Sequence, residues 1–413
     1  MTIFFRSLQI IAFMLMFVSM RSSWRRSLQR LCLLTAIAGA GIADAEPGQP
    51  DPAVDFSPLN TYRQRMVSYQ GTPTIARAPK GRLWAAWTSG PKGEDRGNYV
   101  VAVTSGDNGK TWSDITMMVD PDGENGPLRG VGGLFWADPN GKLWFFWTTF
   151  PDANLSKSIV YAITTENPDS ESPTWSEPRV IYDGLAPGNR DPIVTHQGEW
   201  LFPMQRPGQE LSSMIVASSD EGMTWTLRGG AGILEKKDRN WDEHSIVELE
   251  DGSLFMLLRT SYGIGQSWST DGGRTWTPVS QSLLPHTPAR IYLTKLNSGN
   301  LLLVKHGPLT GKPVGRKLLT AYVSKDGGKT WEGGLLLDER KGVSYPEGTL
   351  SEDGTIYVVY DLGRYDERQI LMATFTEEDV LAGEFRSDKG RLKQVIYDLP
   401  ATQRPTASRP TTE

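Results

Sequence analysis

Four segments of the chain nearly repeat: SGDNGKTW at 105–112, SSDEGMTW at 218–225, STDGGRTW at 269–276 and SKDGGKTW at 324–331. A degenerate fifth ends in PTW at Trp175. The tryptophans at 112, 175, 225, 276 and 331 recur every 50–63 residues, a period that suits propeller blades and not a β-sandwich. A second ladder supports it. Six glycine turns, at Gly81, Gly141, Gly198, Gly252, Gly299 and Gly354, are each followed by an apolar strand and lie 47–60 residues apart. Together they predict an all-β, six-bladed β-propeller with about four strands per blade. Only Thr376–Ala382 reads as a helix, with Thr376 as N-cap before Glu377 and Glu378.

The repeat has a local logic. Its Asp accepts backbone N–H bonds within a tight turn, its Gly permits an unusual backbone angle, and its Trp buries a large face between blades. Recurrence in four blades makes these acidic residues scaffolding, neither catalytic groups nor calcium ligands.

Composition excludes other classes. In 413 residues, 38% are apolar and 22% charged, with 14 Trp, which rules out disorder and a polytopic membrane protein. A net charge of −5 gives no reason to expect nucleic acid. Cys32 is the one cysteine, so neither a disulfide framework nor a Cys-ligated zinc site is available. It lies in the apolar run 31–43, which follows Arg21, Arg25, Arg26 and Arg30 and precedes Ala43-Asp44-Ala45. That order reads as a secretory signal over 1–45, cleaved after Ala45, with an uncleaved anchor as the alternative and Met20 as a second possible start. The mature protein is expected to be secreted or periplasmic, monomeric and without a membrane span. Residues 46–399 form a single propeller and the Pro/Thr/Arg-rich 400–413 a disordered tail.

The glycine ladder also locates a site. Each turn joins the innermost strand of a blade to the second, so residues nine before and seven after each glycine meet at the far end of that hairpin. Nine before stand Thr72, Gly132, Asn189, Glu243, Arg290 and Tyr345; seven after stand Thr88, Thr148, Gln205, Arg259, His306 and Asp361. The first three blades contribute neutral residues and the last three ionisable ones, which predicts a charged funnel mouth. As alternate strand residues, Tyr345 and Glu347 are expected on the same side.

The repeats resemble the Asp-boxes, or BNR repeats, of the sialidase (neuraminidase) superfamily, over roughly residues 65–385. That resemblance implies a six-bladed fold but not one chemistry, since related propellers include other glycosidases, lyases and binding modules. Retaining sialidases use a Tyr nucleophile with a nearby Glu base; a free phenol titrates near pH 10, so it needs one. Tyr345, in SYPEGTLSEDGTI, and Glu243, in DEHSIVELEDG, stand where that resemblance puts the pair. It also implies three arginines around the substrate carboxylate, because guanidinium forks match carboxylates. Arg259 matches the second and Arg316 the third, with Lys317 adjacent. The first, from an Arg-Ile-Pro segment, is missing where the chain reads Gln70-Gly71-Thr72-Pro73. Arg290, on the funnel, is the foremost substitute, ahead of Arg129 and Arg190. The place of the acid holds Asn98 or Tyr99, with Glu94 and Asp95 nearby; Glu347 is a displaced acid or an ion-pair partner.

The expected function is a sialidase-like glycoside hydrolase on an acidic oligosaccharide or polysaccharide. Tyr345, Glu243, Glu347 and Asp95 are the catalytic candidates, and Arg259, Arg316, Arg290, His244, His306 and Asp361 the substrate contacts. No cofactor is implied, and the histidines His244, His286 and His306 form no compact metal motif. They do suggest a rival, a polysaccharide lyase working by His/Tyr proton transfer. A noncatalytic glycan-binding protein is the third reading.

Overall fold

At all six glycine turns the glycine N–H donates to the carbonyl three residues back, as in Gly81 to Ala78 at 2.9 Å and Gly354 to Ser351 at 3.1 Å. Each turn closes a hairpin between the first and second strands of a sheet, and six antiparallel sheets result. The computed structural model describes residues 54–404, except 124–125, 152–156, 188–189 and 207–208. The proposed signal over 1–45 lies outside the described residues.

Blade one runs from inner strand Tyr69–Arg77 through Leu83–Gly90 and Tyr99–Ser105 to Met117–Val119. The strand Val54–Asp55 adds a fifth member at its outer edge. Blade two spans Leu128–Ala137 to Arg179–Asp183, and blade four Arg239–Glu248 to Ser280–Gln281. Blade five spans Tyr292–Lys295 to Glu332–Asp338, and blade six Val343–Leu350 to Arg391–Asp398. Blade three differs, because its inner strand comes as two short pieces, Ala186–Pro187 and Ile193–Val194, both paired with Trp200–Gln205.

Apolar residues on both faces of each sheet create six cores, each shared by two neighbouring blades. The core that closes the ring joins Ile75, Leu83 and Trp87 of blade one to Val359, Ile370 and Met372 of blade six. The repeat tryptophans pack into these cores, as Trp225 does between blades two and three; truncating such a side chain costs about 3–5 kcal/mol.

The repeats form the expected turn. In the second, Ser218 Oγ donates to Asp220 Oδ1 at 2.7 Å and accepts from Gly222 N at 2.8 Å, while Asp220 accepts from Thr224 N at 2.9 Å. Gly222 has φ 77°, and a Cβ there would lie 2.8 Å from ring carbons of both Trp144 and Trp200. Glycine is required there for conformation and for space.

The helix Glu377–Ala382 has the expected N-cap: Thr376 accepts from Asp379 N, and Asp379 answers with the reciprocal bond of a capping box. A second, short helix, Leu59–Arg63, was not legible, since its N-cap Pro58 makes no side-chain cap bond. The expected disordered tail over 400–413 is corrected at its start. Gln403 is buried, donating from Nε2 to Tyr62 O at 2.7 Å and accepting from Val67 N at 2.9 Å. These bonds tie the last described residues to the segment before the inner strand of blade one, beside the closing core.

Candidate active site

The inner strand of blade six pairs in register with its neighbour as far as Glu347, then shifts before Ser344. Tyr345 lies within the shift at φ 53°, a left-handed conformation that costs a non-glycine residue about 1–3 kcal/mol. Blade one shifts at the matching place, between Gly71 and Thr74, with Thr72 at φ 57°. Blade two does so between Val131 and Leu134, with Gly132 at φ 68°. Such bulges re-aim side chains at a sheet edge. The expectation that Tyr345 and Glu347 face the same way is thereby overturned, because the inserted residue breaks the two-residue period. Tyr345 lines a cavity of about 120 Å³. Glu347 lines a different one of about 320 Å³.

Of the twelve ladder positions, seven line the cavity of Tyr345: Thr72, Thr88, Gly132, Thr148, Gln205, Glu243 and Tyr345. Asn189 lies outside the described residues. The ladder positions of blades one to three supply a neutral stretch of wall, continued by Val131 and Phe150. Two carboxylates, Glu94 and Glu243, and one guanidinium, Arg129, face the same space. Trp241, about half exposed and at φ 60°, stands at its edge beside Glu243.

Arginines surround Tyr345. Arg259 Nη1 donates both to the Tyr345 hydroxyl at 3.3 Å and to Glu243 Oε2 at 2.7 Å. One nitrogen therefore holds the phenol and the carboxylate side by side. Burial opposes the charge of Arg259, but Glu243 and Tyr345 more than offset it and raise its pKa. Arg316 lies 5.4 Å from the Tyr345 ring centroid and donates to Ser344 Oγ at 2.6 Å. Among the described residues it pairs with no carboxylate. Arg364, which the ladder does not reach, is nearer still at 4.2 Å. It donates to Glu94 Oε1 at 2.8 Å and to Asp361 Oδ2 at 3.2 Å. The signal that could have found it is its place three residues after Asp361.

Several expected contacts are corrected. Asp95 is exposed, bonding Arg96 N and Arg129, while its neighbour Glu94 turns to the cavity and accepts from the Tyr69 hydroxyl at 3.0 Å. Glu347 is 1% exposed and accepts from both Arg190 and Arg290. Arg290 and Arg190 are thus engaged in a buried ion-pair network; neither lines the cavity of Tyr345, and Arg190 lines that of Glu347. Beside them burial, and then Glu347, raises the pKa of Asp191 well above the ordinary carboxylate range. Asp361 is fully buried; it accepts the Thr72 N–H at 2.9 Å and joins blade six to blade one. His244 Nε2 lies 3.0 Å from Met214 O, buried against blade three. His306 is buried too, with Nε2 bonded to Val343 O at 3.0 Å and Nδ1 to His286 at 3.2 Å. Burial first, with Arg316 and Lys305 adding to it, pushes the pKa of His306 down to about 4. None of the three histidines behind the lyase reading lines the cavity of Tyr345.

The model of the BNR repeat-like domain matches residues 81–358, two thirds of the chain. The chain belongs to the BNR repeat-like family. Its repeats are the four Ser/Asp/Gly/Thr turns described above. This BNR-repeat chain is 28% identical over 303 residues to a sialidase from Bacteroides fragilis, covering 62% of its own length and 53% of that relative; it thus spans about half of that protein. Solved structures share the fold. One is the intramolecular trans-sialidase from Ruminococcus gnavus in complex with oseltamivir carboxylate, with TM-score 0.62 and 15% identity over 76% of this chain and 95% of that one. Another is an α-L-arabinanase from Penicillium chrysogenum complexed with arabinobiose, with TM-score 0.53 and 16% identity over 81% and 100%. The fold of this BNR-repeat protein is that of sialidases and related glycoside hydrolases.

Proposed function

We propose that the protein is a secreted, sialidase-like glycoside hydrolase acting on an acidic glycan. The observation that carries this reading is the phenol of Tyr345, held in a strained bulge on a cavity wall, with Glu243 sharing the same Arg259 nitrogen. Tyr345 attacks the anomeric carbon while Glu243 takes its proton, and the bond from that carbon to the aglycone oxygen breaks. A phenol suits an anionic sugar as nucleophile, since a carboxylate would repel it. Arg259 and Arg316 hold the substrate carboxylate. Glu94, on the cavity wall, gives the leaving oxygen its proton in place of Asp95. Water then hydrolyses the glycosyl–tyrosine bond with the two carboxyl groups reversing roles.

The test is turnover of a fluorogenic α-sialoside by the mature protein and by Tyr345→Phe. The wild type should release the fluorophore, and the variant should lose about 10⁴-fold in kcat with its melting temperature held. Full activity in the variant removes Tyr345 as nucleophile. A second reading draws on two carboxylates, Glu94 and Glu243, on one cavity. In it the protein cleaves a neutral sugar with that pair as acid and nucleophile. Turnover of an aryl arabinofuranoside without turnover of the sialoside would favour it.

A further inference from the structure

The carboxylate clamp proposed above has no arginine on blade one. What stands there is Gly71, and the space beyond it is filled from the next blade. A Cβ at Gly71 would lie 2.8 Å from Asp361 Oδ2 and 3.2 Å from Arg364 Cβ. Arg364 is pinned at this spot by the backbone of blade one, since its carbonyl accepts the Gln70 N–H at 3.0 Å. Its guanidinium is closer to the Tyr345 ring, at 4.2 Å, than that of Arg316 at 5.4 Å or Arg290 at 5.9 Å. Four residues of the cavity wall surround it. Tyr69 and Tyr345 face it with their rings, Glu94 accepts from Nη1, and Thr72 shares Asp361 with Nη2.

The two carboxylates on Arg364 differ. Asp361 is fully buried and fixes the Nη2 edge. Glu94 is 44% exposed against 13% for Arg364, so its carboxylate returns to water on release, as the buried Asp361 carboxylate cannot. The Nη1 edge is therefore the one a second carboxylate can take at small cost. We propose that Arg364 completes the clamp from blade six, exchanging Glu94 at Nη1 for the carboxylate of an anionic sugar. The exchange also frees Glu94 from a cation on the wall where the leaving group departs. This assignment rests on the reading of the site as one for an acidic glycan.

The experiment measures binding by calorimetry to the full mature protein. The probes are 2,3-didehydro-2-deoxy-N-acetylneuraminic acid and its methyl ester, which differ at the carboxylate alone, charged in one and capped by a methyl in the other. The wild type should bind the acid more tightly. Arg364→Gln should weaken the acid about 10–100-fold and leave the ester within about threefold. Arg364→Lys keeps the charge without the fork and should fall between; it also serves if the glutamine variant does not fold. A wild type that binds the acid with Arg364→Gln binding it equally well overturns the assignment and leaves the acidic-glycan reading standing. Loss of acid and ester alike in both variants makes Arg364 a structural residue only, which also overturns it. A wild type that binds neither probe removes both readings together.

Discussion

The two halves of the ring are built alike and furnished differently. Blades one to three and blades four to six share the glycine turns and the packing of apolar cores between blades, with the split inner strand of blade three as the exception. Yet blades one to three give the cavity mostly neutral residues, Thr72, Thr88, Thr148 and Gln205 beside Glu94 and Arg129, while blades four to six surround it with Arg259, Arg316, Arg364, Glu243 and Tyr345. The difference teaches that the scaffold is indifferent to what its inner strand ends carry, because those ends contribute little to the cores. At the ladder positions the first half gives shape and the second gives charge; Glu94 of blade one and Arg129 of blade two bring charge to the first half from positions off the ladder. Glu347 alone answers two guanidiniums, and a network of that kind is costly to break.

The sharpest way to break the comparison is at the charged half. Glu243→Gln should lower kcat for a fluorogenic sialoside by about 10²–10⁴-fold; a variant within threefold of wild type would strip the charged half of its role as base. Next is acid. His306 is held neutral at about 4 when folded, against an ordinary value of 6.5. The unfolded chain takes up its proton near 6.5 and the folded chain does not, so this stability is complete above that pH and is lost as pH falls towards 4. The loss is roughly 3 kcal/mol. Melting temperatures at pH 7, 5.5 and 4.5 should show it, and His306→Gln should flatten the slope. The scaffold turns do not share this weakness. Hydrogen bonds from Thr275 hold the carboxyl of Asp271 at about 2, so it stays ionised throughout that range.

A smaller effect tests the scaffold. Gly222→Ala must place a methyl against two tryptophan rings at a positive φ, and should cost about 1–3 kcal/mol in urea denaturation with activity per folded molecule unchanged. Smallest of all is Thr148→Val on the neutral wall. Thr148 Oγ1 is buried and makes no hydrogen bond among the described residues, so KM and kcat should stay within about threefold. A large loss there would mean that the neutral stretch of wall takes part in the chemistry.

Much of this was legible in residues alone. Six glycine turns at a steady period each specify a hairpin, four Ser/Asp/Gly/Thr turns recur beside them, and sheets that are apolar on both faces bury those faces by stacking against one another. Counting from the turn glycines placed Glu243 and Tyr345 on one cavity because strand pairing carries register from the turn to the far end. Strand alternation put Glu347 on the side of Tyr345, and the bulge turned it away. The count itself was carried too far elsewhere. It assigned His306 and Arg290 to the mouth, where burial left them paired with protein groups.

Local sequence therefore determined the blades, their number and the positions at their ends, since hydrogen-bonded turns and strand alternation act over a few residues. Tertiary structure decided which of those ends meet the cavity, and that Arg364 of blade six stands beside Gly71 of blade one, 293 positions apart in the chain. Closing the ring brings those residues together, and the distance over which charges act is measured in space.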